Sequence, residues 1–269
     1  MKPLEQSHSY LAGGTAYSVR GAGEPVVLIH GVGMEHGVWK PQMEALAQNH
    51  LVIAFDMLGH GLSRTPGENV KLADYATQVA ELLDYLKLPR ANIVGHSMGA
   101  LVALEFALTY PGRTLRVAAL NAVFMRTPEQ SEAVQNRASL LHEIGVNATV
   151  EPTIERWFGT PVPEALQESA EMVAGFLERV HPLGYARTYR LFASSDRVHA
   201  DRLRLLTMPA LFMTGEFDAN SSPAMSEAMA ALAPRSVLDI VKSARHMMTV
   251  TDAERVNQGL NAFLDVPIK

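Results

Sequence analysis

The sequence predicts the α/β class: a mostly parallel central sheet flanked by helices, with a helical cap inserted into it. First, short and nearly continuous apolar runs alternate with amphipathic stretches along most of the 269 residues, which is typical of β-α-β units whose strands are covered on both faces. Second, this alternation stops between residues 124 and 200, where helical-looking segments are interrupted by prolines. Third, Ser97 stands between two glycines where a strand-like run meets a helix-like one, which makes it the first candidate for function.

The secondary-structure elements follow from the spacing of apolar residues. The front segment, residues 4–21, alternates enough to favour an antiparallel hairpin at the edge of the sheet. Strands are predicted at 25–30, 51–56, 91–96, 115–121, 209–215 and 236–241. Helices are predicted near 38–48, 73–87, 98–109, 222–232 and 252–264.

The stretch without strands divides the chain into two parts. We predict an α/β core from residues 1–123 and 201–269, and a cap from residues 124–200. The insertion follows a predicted strand, and open α/β sheets bind ligands at the carboxyl ends of their strands. The cap is therefore expected to cover the functional site.

Composition excludes several functional classes. The net charge of −5 offers no basic field for nucleic acid or an anionic membrane. The absence of cysteine excludes disulfides, thiolate zinc sites and a cysteine nucleophile. The start of the chain, MKPLEQSHSY, has no apolar stretch typical of a signal peptide, and no run approaches the ~18 apolar residues of a membrane span. We expect a cytoplasmic protein that acts on a small molecule without a metal or cofactor. The sequence does not determine the oligomeric state, and a homo-oligomer is possible.

The run GHSMG at residues 95–99 fits the pattern G-x-S-x-G between a predicted strand and a predicted helix. Glycines suit this position because a tight strand-to-helix turn brings its flanking residues close to neighbouring strands. A turn without further meaning would also use these residues. The context of strand, turn and helix favours the alternative, in which Ser97 is a nucleophile.

A serine hydroxyl needs a base, and the base needs an acid to orient it. His246 lies in the loop after the strand predicted at 236–241, and Asp218 lies in the loop after the strand predicted at 209–215. Each could instead be an ordinary loop residue, and Glu216 is a competitor for the acid. Asp218 is preferred because it lies farther beyond its strand. All three side chains follow the carboxyl ends of strands, so they can converge at one edge of the sheet.

Acyl chemistry also needs backbone N–H groups directed at the developing negative oxygen. One candidate is Met98, the residue after the serine, at the start of a helix where free N–H groups favour negative charge. The second is Val32, in the HGVG run at residues 30–33 that follows the strand at 25–30. This run could also be a glycine-rich turn that merely permits close packing.

These motifs together resemble one superfamily. HGVG, DMLGHGLS at 56–63, GHSMG, GEFD and ARH occur in the order and spacing of the α/β-hydrolases, and the resemblance covers essentially the whole chain. It implies that Ser97 is the nucleophile, His246 the general base and then acid, and Asp218 the orienting carboxylate. Serine at the elbow departs from haloalkane dehalogenases and epoxide hydrolases, which carry aspartate there.

A narrower resemblance concerns the substrate. Residues 120–130 and 198–225 are similar to bacterial hydrolases of N-acylaminomethylene-succinate acids, which cleave an amide-type C–N bond. The same scaffold also serves ring-cleavage C–C hydrolases, enol-lactonases and carboxylesterases. A lyase, a perhydrolase or a non-catalytic binding protein on this fold remains open as well.

Basic and aromatic residues of the predicted cap indicate an acidic substrate. Arginine suits bidentate recognition of carboxylates. The candidate substrate contacts are Arg126, Arg156, Trp157, Tyr185, Arg187 and Arg190, together with Arg245 beside the proposed base. On a helix Arg187 and Arg190 share a face, as do Tyr185 and Tyr189. The alternative is that these are solvated arginines beside the aromatic core of the cap.

Overall fold

A computed structural model describes residues 9–10, 13–145 and 149–268. Its sheet has eight strands in the order β1-β2-β4-β3-β5-β6-β7-β8. The strands are β1 Ser9–Tyr10, β2 Ala16–Gly21, β3 Glu24–Ile29, β4 His50–Phe55, β5 Ala91–His96, β6 Thr114–Leu120, β7 Ala210–Gly215 and β8 Ser236–Val241. β2 pairs antiparallel with β1 and with β4, and β3 to β8 pair in parallel.

Helices flank this sheet. Those of the core are α1 Lys40–Leu46, α2 Leu72–Tyr85, α3 Met98–Thr109, α8 Pro223–Leu232, α9 Met248–Thr251 and α10 Ala253–Leu264. α1 packs against α10, and α2 packs against α3. No helix in the described part of the chain is long and apolar enough to span a bilayer.

Four further α-helices lie between β6 and β7 in the described part of the segment that we call the cap, residues 124–200. They are α4 Pro128–Ile144, α5 Val150–Phe158, α6 Gln167–Arg179 and α7 Pro182–Ala193. α4 packs against α7, and α5 packs against α6. Thr127 begins α4 with a capping box, since its hydroxyl accepts from Gln130 N while the Gln130 side chain accepts from Thr127 N.

The central strands are buried because both of their faces are covered. Every residue of β5, β6 and β7 is buried, which matches their continuously apolar sequence. β8 is the exposed edge, where Val237 and Leu238 keep about two fifths of their surface in solvent. The predicted class is confirmed, with each predicted strand within one residue of its observed bounds. Of the predicted front hairpin, residues 4–8 and 11–12 lie outside the described residues, and β1 and β2 form its antiparallel pair.

Candidate active site

Ser97 lies on a sharp turn between β5 and α3. Its backbone adopts φ 55° and ψ −116°, a region that residues other than glycine rarely occupy. The flanking glycines allow the turn, because a Cβ on Gly95 would overlap the Gly99 carbonyl and a Cβ on Gly99 would overlap the Ile29 carbonyl. The turn therefore carries Ser97 at the carboxyl edge of the sheet, at the first turn of a buried helix.

Asp218 and His246 form a buried pair at the same edge. His246 Nδ1 donates to Asp218 Oδ2 at 2.9 Å, which leaves His246 Nε2 as the acceptor nitrogen. Asn121 Nδ2 donates to the same carboxylate oxygen at 2.8 Å, and the backbone N–H groups of Asn220 and Ser221 donate to Oδ1. The loop after β7 and the end of β6 thus both hold the Asp218 carboxylate in place.

Two opposing effects act on the pKa of Asp218. Burial raises it, but the adjacent His246 and the hydrogen bonds from Asn121 and Asn220 outweigh burial, so the pKa lies below its usual value. The carboxylate is therefore ionised beside the imidazole. This charge favours the tautomer in which His246 carries its proton on Nδ1.

Two nearby side chains, Glu216 and His96, hydrogen-bond to the backbone of the surrounding loops instead. Glu216 Oε2 accepts from the backbone N–H of Ser243 at 2.8 Å, so it joins two loops. His96 Nε2–H donates to the His246 carbonyl at 2.8 Å. Burial, followed by the nearby His246, lowers the pKa of His96 to about 3, so His96 remains a neutral support for the backbone of His246.

The loop after β3 passes directly beside Ser97. A Cβ built on Gly31 would lie 3.2 Å from Ser97 Cβ, so a larger residue here would require its neighbours to shift by a few tenths of an ångström. Val32 follows Gly31 and lines the same cavity as Ser97. Met98 is the first residue of α3, where N–H groups have no acceptor within the helix. The two residues whose N–H groups are predicted to stabilise an oxyanion thus lie close to the serine.

A cavity of about 180 Å³ lies between the core and the cap. The core contributes Val32, Ser97, Ala219, Asn220 and His246 to its walls. The cap contributes Arg126, Arg137, Arg156, Trp157, Tyr189 and Phe192, among others. Trp157 stacks on His246 with ring centroids 5.3 Å apart, so the cap shields the imidazole from solvent.

Three arginines line this cavity, and their partners differ. Arg126 Nη1 lies 3.4 Å from Asp196 Oδ1, and its guanidinium lies over the Phe192 ring. Arg137 Nε donates to the Tyr189 hydroxyl at 3.2 Å. Among the described residues no carboxylate lies within ion-pair distance of Arg137 or Arg156.

Two hydrogen-bond donors at the end of α5 are also unused. Trp157 Nε1 and Arg156 Nε are buried without an acceptor among the described atoms. Burial, followed by repulsion from Arg137, lowers the pKa of Arg156. Buried donors without an acceptor are costly, and this pair lies on the wall that faces Ser97.

Four of the predicted substrate contacts are not among the residues that line the cavity: Tyr185, Arg187, Arg190 and Arg245. Arg187 Nη1 donates to the Pro66 carbonyl and Arg190 Nη2 to the Glu68 carbonyl, so both tie α7 to a core loop. Tyr185 is buried, with its ring beside Gly33. Arg245 lies against Gly159.

Arg137 and Tyr189 belong to the site but were missed as substrate contacts. Arg137 is one of many charged residues in a polar helix and belongs to no motif. It reaches the cavity only because α4 packs against α7. Tyr189 is four residues after Tyr185, and this spacing was the one available signal.

Among the described residues no group of three or more histidine, aspartate or glutamate side chains is arranged to hold a metal ion.

The comparisons with known proteins agree with this geometry. The family model described as alpha/beta hydrolase fold matches residues 24–252. The chain therefore belongs to the α/β-hydrolase fold family and is a hydrolase.

Individual relatives carry specific names. The (E)-2-((N-methylformamido)methylene)succinate hydrolase of Acinetobacter baylyi is 38% identical, over 93% of each chain. The structure of an enol-lactonase from Burkholderia xenovorans LB400 superimposes with a TM-score of 0.87 and 25% identity, covering 97% of this chain and 100% of that one. A malate-bound thermophilic esterase from Thermogutta terrifontis has a TM-score of 0.84 and 28% identity, covering 93% and 92%.

Proposed function

We propose that this protein is a serine hydrolase that cleaves an amide-type C–N or ester bond in a small acyl substrate bearing a carboxylate. The observation that carries the proposal is a single cavity lined by Ser97, His246 and two arginines, Arg137 and Arg156. Within the described part of the chain neither arginine has a carboxylate partner. The first pair supplies a nucleophile and a base, and the second pair supplies positive charge beside them.

In the proposed reaction each group has one role. His246 Nε2 accepts the proton of Ser97 as Oγ attacks the acyl carbon, while Asp218 stabilises the imidazolium that forms. The N–H groups of Val32 and Met98 hold the negative oxygen of the tetrahedral intermediate. His246 then protonates the leaving nitrogen or oxygen. Water, activated by the same imidazole, releases the acid and restores Ser97.

The arginines support the substrate class. Arg126 is already neutralised by Asp196, so Arg137 and Arg156 are the groups that a substrate anion would neutralise. A charged hydrogen bond in such a place contributes about 1.5–3 kcal/mol. Two relatives point the same way, since one is named for a succinate derivative and another was solved with malate. We assign the carboxylate of the substrate to Arg137 and Arg156.

The test compares two esters that differ only in charge. The mono-p-nitrophenyl ester of succinic acid should exceed the p-nitrophenyl ester of monomethyl succinate roughly ten- to a hundredfold in kcat/KM. Arg137→Met should reduce this preference severalfold or more while hydrolysis of the neutral ester continues. The matched control is Arg187→Met, which removes an arginine outside the cavity and should keep the preference.

Two results would contradict the proposal. Ser97→Ala should lower turnover of both esters by about 10³-fold or more with the fold intact, so retained turnover would overturn the nucleophile. A wild-type preference for the neutral ester would overturn the acidic substrate and leave a general esterase.

A lactone is the second candidate substrate. The similarity to an enol-lactonase structure favours it, since ring opening uses the same attack by Ser97 and also generates a carboxylate. Parallel assays of an N-acyl amide and an enol-lactone of matched charge would distinguish the two bonds.

A further inference from the structure

Two histidines join the loop after β3 to the loop after β4. His30 Nε2 accepts the backbone N–H of Met57 at 2.9 Å, and His60 Nε2 accepts the backbone N–H of Gly33 at 2.9 Å. Each loop therefore contributes one imidazole and one N–H group to the other. The two rings also touch edge to face, with centroids 5.2 Å apart.

Each ring must be neutral and in one tautomer for this arrangement to hold. His30 Nδ1–H donates to the Gly31 carbonyl at 2.7 Å, and His60 Nδ1–H donates to the Leu58 carbonyl at 3.2 Å. Nε2 is thus left as the acceptor in both rings. Burial lowers the pKa of His30 to about 4 and that of His60 to about 3, which keeps both rings neutral near pH 7.

The Gly33 N–H group lies one peptide beyond the N–H group of Val32. Gly33 has φ +83°, so the chain turns sharply here, and an acceptor for Gly33 N–H fixes the turn. On its other side the loop lies against Ser97 through Gly31. An error of about 1 Å in the position of a catalytic group is enough to lower a rate by about two orders of magnitude.

We propose that His60 is a positioning residue for catalysis: by accepting the Gly33 N–H it holds the loop of residues 30–34 so that Val32 N–H points at the oxyanion. This inference rests on the proposed function, because it assumes that Ser97 forms a tetrahedral intermediate. His60 is not among the residues that line the cavity, so its proposed effect runs through the loop.

The experiment uses probes that need no knowledge of the natural substrate. We would measure kcat and KM for p-nitrophenyl acetate and the rate at which a fluorophosphonate labels Ser97. His60→Gln places an amide oxygen near the position of Nε2, whereas His60→Asn is too short and His60→Leu has no acceptor. The matched control is His50→Gln, a change at another buried histidine, located at the start of β4.

The expected result separates positioning from general support of the fold. His60→Asn and His60→Leu should lower kcat about 10- to 100-fold with KM within about 2-fold, and labelling should slow by a similar factor. His60→Gln should stay within about 3-fold of wild type, as should His50→Gln. Thermal unfolding of each variant identifies any that does not fold. If His60→Leu does not fold, the comparison of His60→Gln with His60→Asn tests the proposal.

The two proposals fail in different ways. Equal kcat for the glutamine and asparagine variants, or a loss confined to KM, would overturn the role of His60 while Ser97→Ala remained inactive. Fluorophosphonate labelling that persists in Ser97→Ala would overturn the proposed function and, with it, this inference.

Discussion

At the scale of single residues, Asp218 and Glu216 lie two positions apart but make different contacts. Asp218 accepts hydrogen bonds from His246, Asn121 and two backbone groups. Glu216 accepts from a backbone N–H in the loop that precedes His246. Only Asp218 is buried against the imidazole, so only its charge can stabilise an imidazolium directly.

This difference predicts different kinetic effects. Asp218→Asn removes the charge and favours the wrong imidazole tautomer, so kcat should fall by about 10²- to 10⁴-fold. Glu216→Gln keeps an acceptor for Ser243 and should change kcat less than about threefold. Steady-state kinetics with p-nitrophenyl acetate measures both, and the opposite ranking would identify Glu216 as the acid.

The sequence predicted the placement of Ser97, Asp218 and His246 because each follows a strongly apolar strand, and strand ends in a parallel sheet share one edge. It did not predict the hydrogen bond from Asn121, whose geometry depends on how β6 and β7 pair. It also could not place Arg137, since the direction of a polar helix face is decided by the helix it packs on. Arg187 and Arg190 show the same limit, because their shared face was predicted but the surface it meets was not.

At the scale of elements, α7 meets the core through two glycines. A Cβ on Gly59 would lie 2.7 Å from Gly184 Cα, and a Cβ on Gly184 would overlap the Gly59 carbonyl. Arg187 and Arg190 then bind carbonyls farther along the same core loop. The Tyr75 and Thr188 hydroxyls join α2 to α7 at 2.7 Å. The cap helix is thus attached along its length.

Two glycine substitutions in cap helices should therefore change the free energy of unfolding in opposite directions. Gly184→Ala places a methyl group against backbone and should lower the free energy of unfolding by about 1–3 kcal/mol. Gly175→Ala in α6 meets only the end of the flexible Arg179 side chain, at 3.1 Å, and should raise it by about 0.5–1 kcal/mol. Urea unfolding measures both, and similar effects at the two positions would contradict close packing of α7.

At the scale of the whole molecule, the site is built around neutral buried histidines. Burial lowers the pKa of His30 to about 4 and the pKa values of His60 and His96 to about 3, from 6.5. The unfolded chain therefore binds more protons than the native protein between about pH 3 and pH 6.5. Stability from these groups is complete above about pH 6.5 and is lost as the pH falls through this window.

We accordingly expect the free energy of unfolding to decline steeply in mild acid. Three protons taken up on unfolding correspond to a slope of up to about 4 kcal/mol per pH unit near pH 5. His60→Gln should reduce that slope by about one third. Urea titrations between about pH 7 and pH 5 test this, and a stability that is flat over the range would show that these histidines do not remain neutral on folding.

The backbone of Ser97 has a consequence for how this protein can change over time. A serine at φ 55° and ψ −116° carries strain of order 1–3 kcal/mol, and glycine would relieve it. Selection for stability alone would favour glycine at this position, and the chain would then lose the proposed nucleophile. If Ser97 is the nucleophile, the serine is a compromise in which part of the folding free energy is given up to hold its hydroxyl in place. Thermostable variants of this protein are therefore best sought by changes elsewhere, with the elbow left as it is.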